Sequence, residues 1–149
     1  MKPLEEYNYI GRVKSMTYED WKPILDLIPA IEKMKIYSVE VEPAREMDGV
    51  IELGSWREDD VVTEFLEAVY TIPIINDFNW GGWDEGRAMA SNRNFDYDTV
   101  DIPTKCMLIT AIVRNDRFCD GALVDTFEDG TILRILKSID RQINSGRKL

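Results

Sequence analysis

One stretch in the C-terminal half, residues 110–123, constrains the fold more than any other part of the sequence. An apolar run ends at Val113 and gives way to Arg114-Asn115-Asp116-Arg117-Phe118, and Asp120-Gly121 then restarts an apolar period. A sudden change from apolar to charged residues is typical of a helix end, and a glycine is typical of a boundary. The pattern therefore predicts two helices joined by a corner that holds two arginines and two aspartates.

Apolar residues at helical spacing predict a mainly α-helical fold of about five helices. Thr17, the pair Asp59-Asp60 and Asp101 are placed to cap the first three, and Pro29 predicts a kink or an early end of the first. The third is apolar nearly all round, which predicts a central position. The five sets of apolar residues are Trp21, Ile24, Leu25, Ile28 and Ile31; Val62, Phe65, Leu66 and Val69; Met107, Leu108, Ile109, Ala111, Ile112 and Val113; Leu123, Val124 and Phe127; and Ile132, Ile135, Leu136, Ile139 and Ile143.

Between the first two helices the period changes to that of a strand. Residues 36–42 alternate between apolar and polar side chains, Met47-Asp48-Gly49-Val50 is a turn signal, and residues 50–53 are predicted as the returning strand. An isolated hairpin is only marginally stable. We therefore treat this small β-hairpin as an optional element that leans on the helices.

Length and composition indicate one compact domain. We divide the 149 residues into an N-terminal arm without a sustained period (1–16), a single helical domain (17–144) and a C-terminal tail (145–149). The start of the chain is acidic, unlike a secretory signal, and no apolar run reaches the roughly 18 residues of a membrane span. Cys106 and Cys119 form no disulfide framework and are predicted as small buried hydrophobes. We expect a cytoplasmic protein without membrane contact.

Charge and the absence of histidine exclude several functions. The net charge of −10 opposes binding to the phosphates of nucleic acid. Without histidine, Ser-His-Asp and Cys-His catalysis are excluded, and the commonest zinc ligand is missing. Residues 96–101 begin like a calcium loop but have Val100 and Asp101 where that loop needs an acid and a glycine. They are better explained as a turn that caps the third helix, and no metal or cofactor is predicted.

Three blocks of sequence occur together across the C-terminal half. They are Phe78-Asn79-Trp80-Gly81-Gly82-Trp83, the stretch from Leu108 to Phe118 with Gly121 and Leu123, and Phe127-Glu128-Asp129-Gly130-Thr131-Ile132 followed by Ile135-Leu136. With the tryptophan-led first helix, these blocks cover most of the chain from Trp21 to Ile139. In this respect the chain resembles an uncharacterised bacterial family, domain of unknown function 6508. The resemblance implies a small helical fold and carries no established activity.

The corner after the third helix is one candidate polar site, formed by Arg114, Asp116, Arg117, Asp120 and Glu128. Two guanidinium groups there could bind a carboxylate or a phosphate. The favoured alternative is a structural network, in which the arginines cap helix carbonyls and pair with the two aspartates. In that case Arg117 is desolvated beside a buried Phe118, whereas Arg134 lies on the polar side of the last helix.

A second candidate site is an aromatic cleft formed by Trp80, Trp83 and Asp84 in a glycine-rich segment. Ligand pockets are mostly apolar with a few polar groups, which fits these residues. The favoured alternative is structural, with both indole rings as lids on the core. No phosphate-binding glycine motif is present.

The sequence favours a non-catalytic interaction or binding domain, with a protein as its partner. The absence of every activated-nucleophile arrangement, together with the heavy aromatic content, supports this prediction. The aromatic content also favours a homodimer. The alternative is an enzyme based on carboxylates and arginines, or a small-anion binder, at the Arg114–Asp120 corner.

Overall fold

The computed structural model describes the backbone of residues 4–34, 38–42, 45–52, 55–72, 74–76, 78–119 and 121–147. Within these ranges the protein is mainly α-helical, as predicted. The helices are α1 (Leu4–Lys14), α2 (Tyr18–Leu25), α3 (Ile28–Lys33), α4 (Asp60–Thr71), α5 (Asp84–Ser91), α6 (Ile102–Asn115), α7 (Ala122–Glu128) and α8 (Thr131–Arg147). Two short 3₁₀ helices span Trp80–Gly82 and Tyr97–Thr99. None of the described helices is long and apolar enough to cross a membrane.

The N-terminal segment differs from the predicted arm, because Leu4–Lys14 forms the helix α1. Tyr9 and Val13 lie one turn apart on this helix and are only 2% exposed. The Tyr9 hydroxyl donates a hydrogen bond to the main-chain carbonyl of Ile74. Two apolar residues are too weak a signal for a helix on their own, so the packing of α1 against α6 decides this segment.

The predicted first helix is two helices, α2 and α3, which are separated at Asp26 and Leu27. Thr17 and Asp20 form the predicted capping box at the start of α2. Pro29 lies in the first turn of α3, where its missing N–H breaks no helical hydrogen bond. The prediction of an early end near this proline is confirmed.

The strand region is longer than the predicted hairpin, and its pairing is different. Strands β1 (Ser38–Glu42), β2 (Arg45–Met47), β3 (Val50–Glu52) and β4 (Ser55–Glu58) form two antiparallel pairs. The predicted returning strand pairs with β2, whereas β1 pairs with β4. Asp48 and Gly49 both have left-handed φ angles, of 52° and 79°, as a tight hairpin turn requires.

The core lies around α6 and α8, which confirms the predicted central position of the third predicted helix. Helix α6 packs against α1, α5, α7 and α8. Four of the five residues of the last predicted stripe, Ile132, Ile135, Leu136 and Ile139, are fully buried. Phe65 of α4 and Phe127 of α7 meet edge to face, with their ring centroids 5.3 Å apart. Helix α5 was not predicted from the sequence, because its first residues fall in a segment without helical periodicity.

Candidate functional site

A concave cleft of about 360 Å³ lies between α5, α6 and α7. Its floor is one face of α6, formed by Leu108, Ala111, Ile112 and Asn115 at helical spacing. Opposite walls come from α5 and α7, and Trp80 and Trp83 complete the α5 side. The cleft is therefore assembled from three sequence segments that are far apart along the chain.

Small residues keep this cleft open. Gly86 and Ala90 face it from α5, Ala111 from α6 and Ala122 from α7. At the three alanine positions a larger side chain would take up part of this space, because these residues line the cleft. The sequence therefore places small side chains on all three helices around one volume, and that arrangement is visible only in the folded chain.

Close packing fixes one indole wall. A Cβ atom added to Gly86 would lie 2.1 Å from an atom of the Trp83 ring, well inside van der Waals contact. The ring can cover α5 at this point only because residue 86 has no side chain. The other side of Trp83 meets Phe78 edge to face, with centroids 5.7 Å apart. Asn79 accepts a hydrogen bond from the Gly82 amide and holds the short turn between them.

The rim of the cleft exposes an aromatic side chain. Phe118, three residues after the end of α6, is 77% exposed, and its ring centroid lies 5.9 Å from that of Trp80. The prediction that Phe118 is buried was wrong. The corner turns away from the core at this point, so that the ring contacts the cleft wall instead of the interior.

Two charged side chains, Arg87 and Asp129, line the cleft. Arg87 on α5 donates a hydrogen bond to the carbonyl of Gly81 over 2.7 Å and lies 3.9 Å from Asp84. Asp129 lines the cleft from the end of α7 and accepts a hydrogen bond from the Thr131 amide over 2.9 Å. The cleft thus combines two indole walls and an apolar floor with one cation and one carboxylate.

The structure brings together two of the three residues predicted for the aromatic cleft. Trp80 and Trp83 line it, and Trp83 also packs against the core, as expected of a lid. Asp84 does not line the cleft, and its exposed carboxylate lies in the first turn of α5. The two hypotheses for the tryptophans are therefore compatible, because Trp83 both packs against the core and lines the cleft.

The described residues of the predicted polar corner do not converge on one site. Asp116 is half-buried and accepts a hydrogen bond from the Leu123 amide over 3.0 Å, which holds the start of α7. Arg117 is exposed, with its guanidinium 3.5 Å from the Tyr70 hydroxyl. Arg114 is half-buried, and Glu128 is exposed at the end of α7. Asp120 lies outside the described residues.

The expected ion-pair network of that corner lies partly outside the described residues, because it includes Asp120. Among the described residues, the ion pairs are Arg87–Asp84, Lys137–Glu32 and Arg141–Asp98, and none belongs to the corner. Asp116 acts as a helix cap because its carboxylate meets a free backbone amide. None of the described residues of the corner site lines the cleft. The residue that lines the cleft at the end of α6 is Asn115. Cys119 is exposed, contrary to prediction, whereas Cys106 is buried.

A polar cluster that was not predicted from the sequence joins α8 to the segment from Phe95 to Asp98. Asp98 accepts hydrogen bonds from Ser138 and, through both of its oxygens, from Arg141. Arg134, one turn before Ser138, donates to the carbonyl of Phe95, and its guanidinium carbon lies 5.0 Å from the centroid of the Tyr97 ring. We call these residues the Asp98 cluster. Their helical spacing on α8 was the available signal.

The Asp98 cluster extends to a buried lysine. The Lys105 ammonium donates to the side-chain oxygen of Gln142, and the side chain has no exposed surface. Burial lowers the pKa of Lys105 to about 8, although the nearby carboxylate of Asp98 opposes the change. Hydrogen bonds from Arg141 and Ser138 hold the pKa of Asp98 below its usual value. The prediction that residues 96–101 form a capping turn is confirmed, since Asp101 accepts from the Thr104 amide.

The chain belongs to a family of unknown function, DUF6508, whose model matches residues 16–145. The three sequence blocks that carry the resemblance all lie inside the matched range, and so do the cleft and the Asp98 cluster. No curated protein and no solved structure matches the chain. Within the described part of the chain, no group of three or more Cys, Asp or Glu side chains is placed to hold a metal ion.

Proposed function

We propose that this protein is a non-catalytic interaction domain of the bacterial cytoplasm, and that the cleft between α5, α6 and α7 receives an apolar side chain of a partner protein. The observation that carries the proposal is the cleft itself, about 360 Å³ with two indole walls and an apolar floor. Pockets that accept an anchoring side chain are concave and mostly apolar, with a few polar groups at the edge.

The surface beside the cleft supports a protein partner. Phe118 is largely exposed at the rim, and Tyr70 is 47% exposed and close to the Arg117 guanidinium. Tyrosine, phenylalanine and arginine are enriched where proteins meet. The cleft offers a partner a pocket for an anchoring side chain, and the exposed aromatic side chains beside it offer further apolar contact.

The alternative, an enzyme or a small-anion binder at the Arg114–Asp120 corner, stays a prediction. Arg117 points to the Tyr70 hydroxyl and Asp116 caps α7, so neither of these two groups faces the cleft. The homodimer also stays a prediction, and sedimentation of the purified protein at micromolar concentration tests it. A second copy is one partner that could present an apolar anchor to the cleft.

The test uses two alanines of the same helix. Ala90 lines the cleft, whereas Ala88 on α5 is exposed and does not line it. Peptides are selected from a random dodecamer display library on the wild-type protein, and their affinities are measured for wild type, Ala90→Phe and Ala88→Phe. A filled cleft should weaken binding by about tenfold or more, because the anchor loses its pocket.

Two results would contradict the proposal. One is a selection that enriches no peptide on the wild-type protein. The other is a set of peptides that bind Ala90→Phe as tightly as Ala88→Phe. Circular dichroism of both variants comes first, and it should show the helical spectrum of the wild type, since both positions lie on the same helix and carry the same substitution.

A further inference from the structure

We infer that the partner segment carries a lysine or an arginine beside its apolar anchor, and that the carboxylates of α7 hold this cation. The inference rests on the proposed docking function and names the chemistry of the partner. It is carried by the charges around the cleft, by the indole faces inside it and by the net charge of the chain.

One carboxylate lines the cleft, and two more lie close to it in the chain. Asp129 lines the cleft directly after α7, and Asp125 and Glu128 are exposed on α7 outside the lining. Asp129 gives one hydrogen bond acceptor site to the Thr131 amide. A carboxylate has about four acceptor sites on its two oxygens, so Asp129 retains capacity for a bound cation.

The positive charge on the other wall is already engaged. The guanidinium of Arg87 donates to the Gly81 carbonyl and lies 3.9 Å from the carboxylate of Asp84. Arg87 therefore anchors the segment that carries Trp80, and Asp84 offsets its charge. Of the two charged side chains that line the cleft, only Asp129 has no countercharge among the ion pairs of the described residues, and the chain as a whole carries a net charge of −10.

The indole walls favour the same kind of partner. Trp80 and Trp83 both line the cleft, and the face of an indole ring attracts a lysine or arginine head group. The methylene stem of such a side chain also packs on an apolar wall while its charged end reaches polar groups at the edge. An acidic partner segment meets repulsion from α7 and gains nothing from the ring faces.

The experiment compares peptide selections on three forms of the protein. The forms are the wild type, a variant with Asp125→Asn, Glu128→Gln and Asp129→Asn, and a control with Glu64→Gln. Asparagine at position 129 keeps the oxygen that caps the Thr131 amide. Glu64 is an exposed carboxylate on α4 that does not line the cleft.

The expected result is that peptides selected on the wild type and on Glu64→Gln carry a basic residue next to the apolar anchor. The triple variant should lose this preference. The best peptide should bind the triple variant about tenfold more weakly, and its counterpart with glutamine in place of the basic residue should bind both proteins equally. Raising the salt concentration should weaken only the basic peptide.

The failure of the inference and the failure of the proposed function have different signatures. Peptides that are blocked by Ala90→Phe but show no basic preference would leave the docking cleft standing and overturn the cationic partner. Equal affinity of the best peptide for the wild type and the triple variant would overturn it as well. A selection that enriches no peptide at all would overturn both.

Discussion

Two regions of the molecule use the same types of residue in opposite ways. At the corner between α6 and α7, Arg117 and Phe118 are exposed, and a cleft remains open beside them. In the Asp98 cluster, Arg134 and Arg141 of α8 hold the segment around Phe95 and Asp98 against the helix. In the first region the side chains are exposed beside an open cleft, and in the second they bind two distant segments of the chain together.

Local sequence does not decide which of these arginines is structural. Arg117 has an aromatic neighbour in the chain, which predicted burial, whereas Arg134 has an apolar residue on each side of it and was predicted to face solvent. In the structure Arg134 is half-buried and bound to the chain 39 residues away, and Arg117 is exposed. Four predictions test this contrast.

The largest effect is expected for the two arginines. Arg134→Ala should lower the free energy of unfolding by about 2–4 kcal/mol, because it removes a charge-assisted hydrogen bond and the contact with the Tyr97 ring. Arg117→Ala should change it by less than about 0.5 kcal/mol, as is usual for an exposed side chain. Urea unfolding of both variants measures the difference, and equal shifts would remove the contrast between the two regions.

Two helical glycines give the next effect. Gly86→Ala should destabilise the protein by about 1–3 kcal/mol, because the new methyl group collides with the Trp83 ring in the cleft wall. Gly11→Ala on α1 meets no atom within 4 Å and should stabilise by about 0.5–1 kcal/mol through its helix propensity. Urea unfolding again provides the comparison, and a stabilised Gly86→Ala would mean that the indole wall moves freely.

The buried lysine beside the Asp98 cluster predicts a rise of stability between about pH 8 and 9. Its folded pKa is about 8, so over this window the unfolded chain binds more protons than the folded one, and Lys105 should add about 1 kcal/mol. Above pH 9 the raised pKa of Cys106, about 12, opposes the rise. Lys105→Met should flatten this window in unfolding curves measured at each pH, whereas Lys22→Met should keep the wild-type profile.

The smallest effect concerns two aspartates. The pKa of Asp98 is lowered by Arg141 and Ser138, so its contribution is present above the ordinary carboxyl pKa and is lost as pH falls through the lowered value. Since the carboxylate is 42% exposed, Asp98→Asn should cost only about 0.5–1 kcal/mol at pH 7. Asp84→Asn beside the cleft should cost nothing measurable. A loss at pH 7 that persists unchanged at pH 2 would rule out the ionic origin.

The sequence by itself determined the local features of this protein. The capping box at Thr17, the caps at Asp59 and Asp101, the break near Pro29 and the turn at Asp48-Gly49 follow from interactions within a few residues. The apolar stripes also predicted which faces of the main helices are buried, because a helix places every third or fourth residue on one side. These signals were sufficient for the fold class.

Only the tertiary structure decided which surfaces meet. It placed α1 on the core through Tyr9, paired β1 with β4, exposed Phe118 and bound Arg134 to Phe95. The cleft itself depends on small residues of three helices facing one volume. Each of these features joins parts of the chain that are distant in sequence, and their energies depend on how the helices pack, which no local pattern encodes.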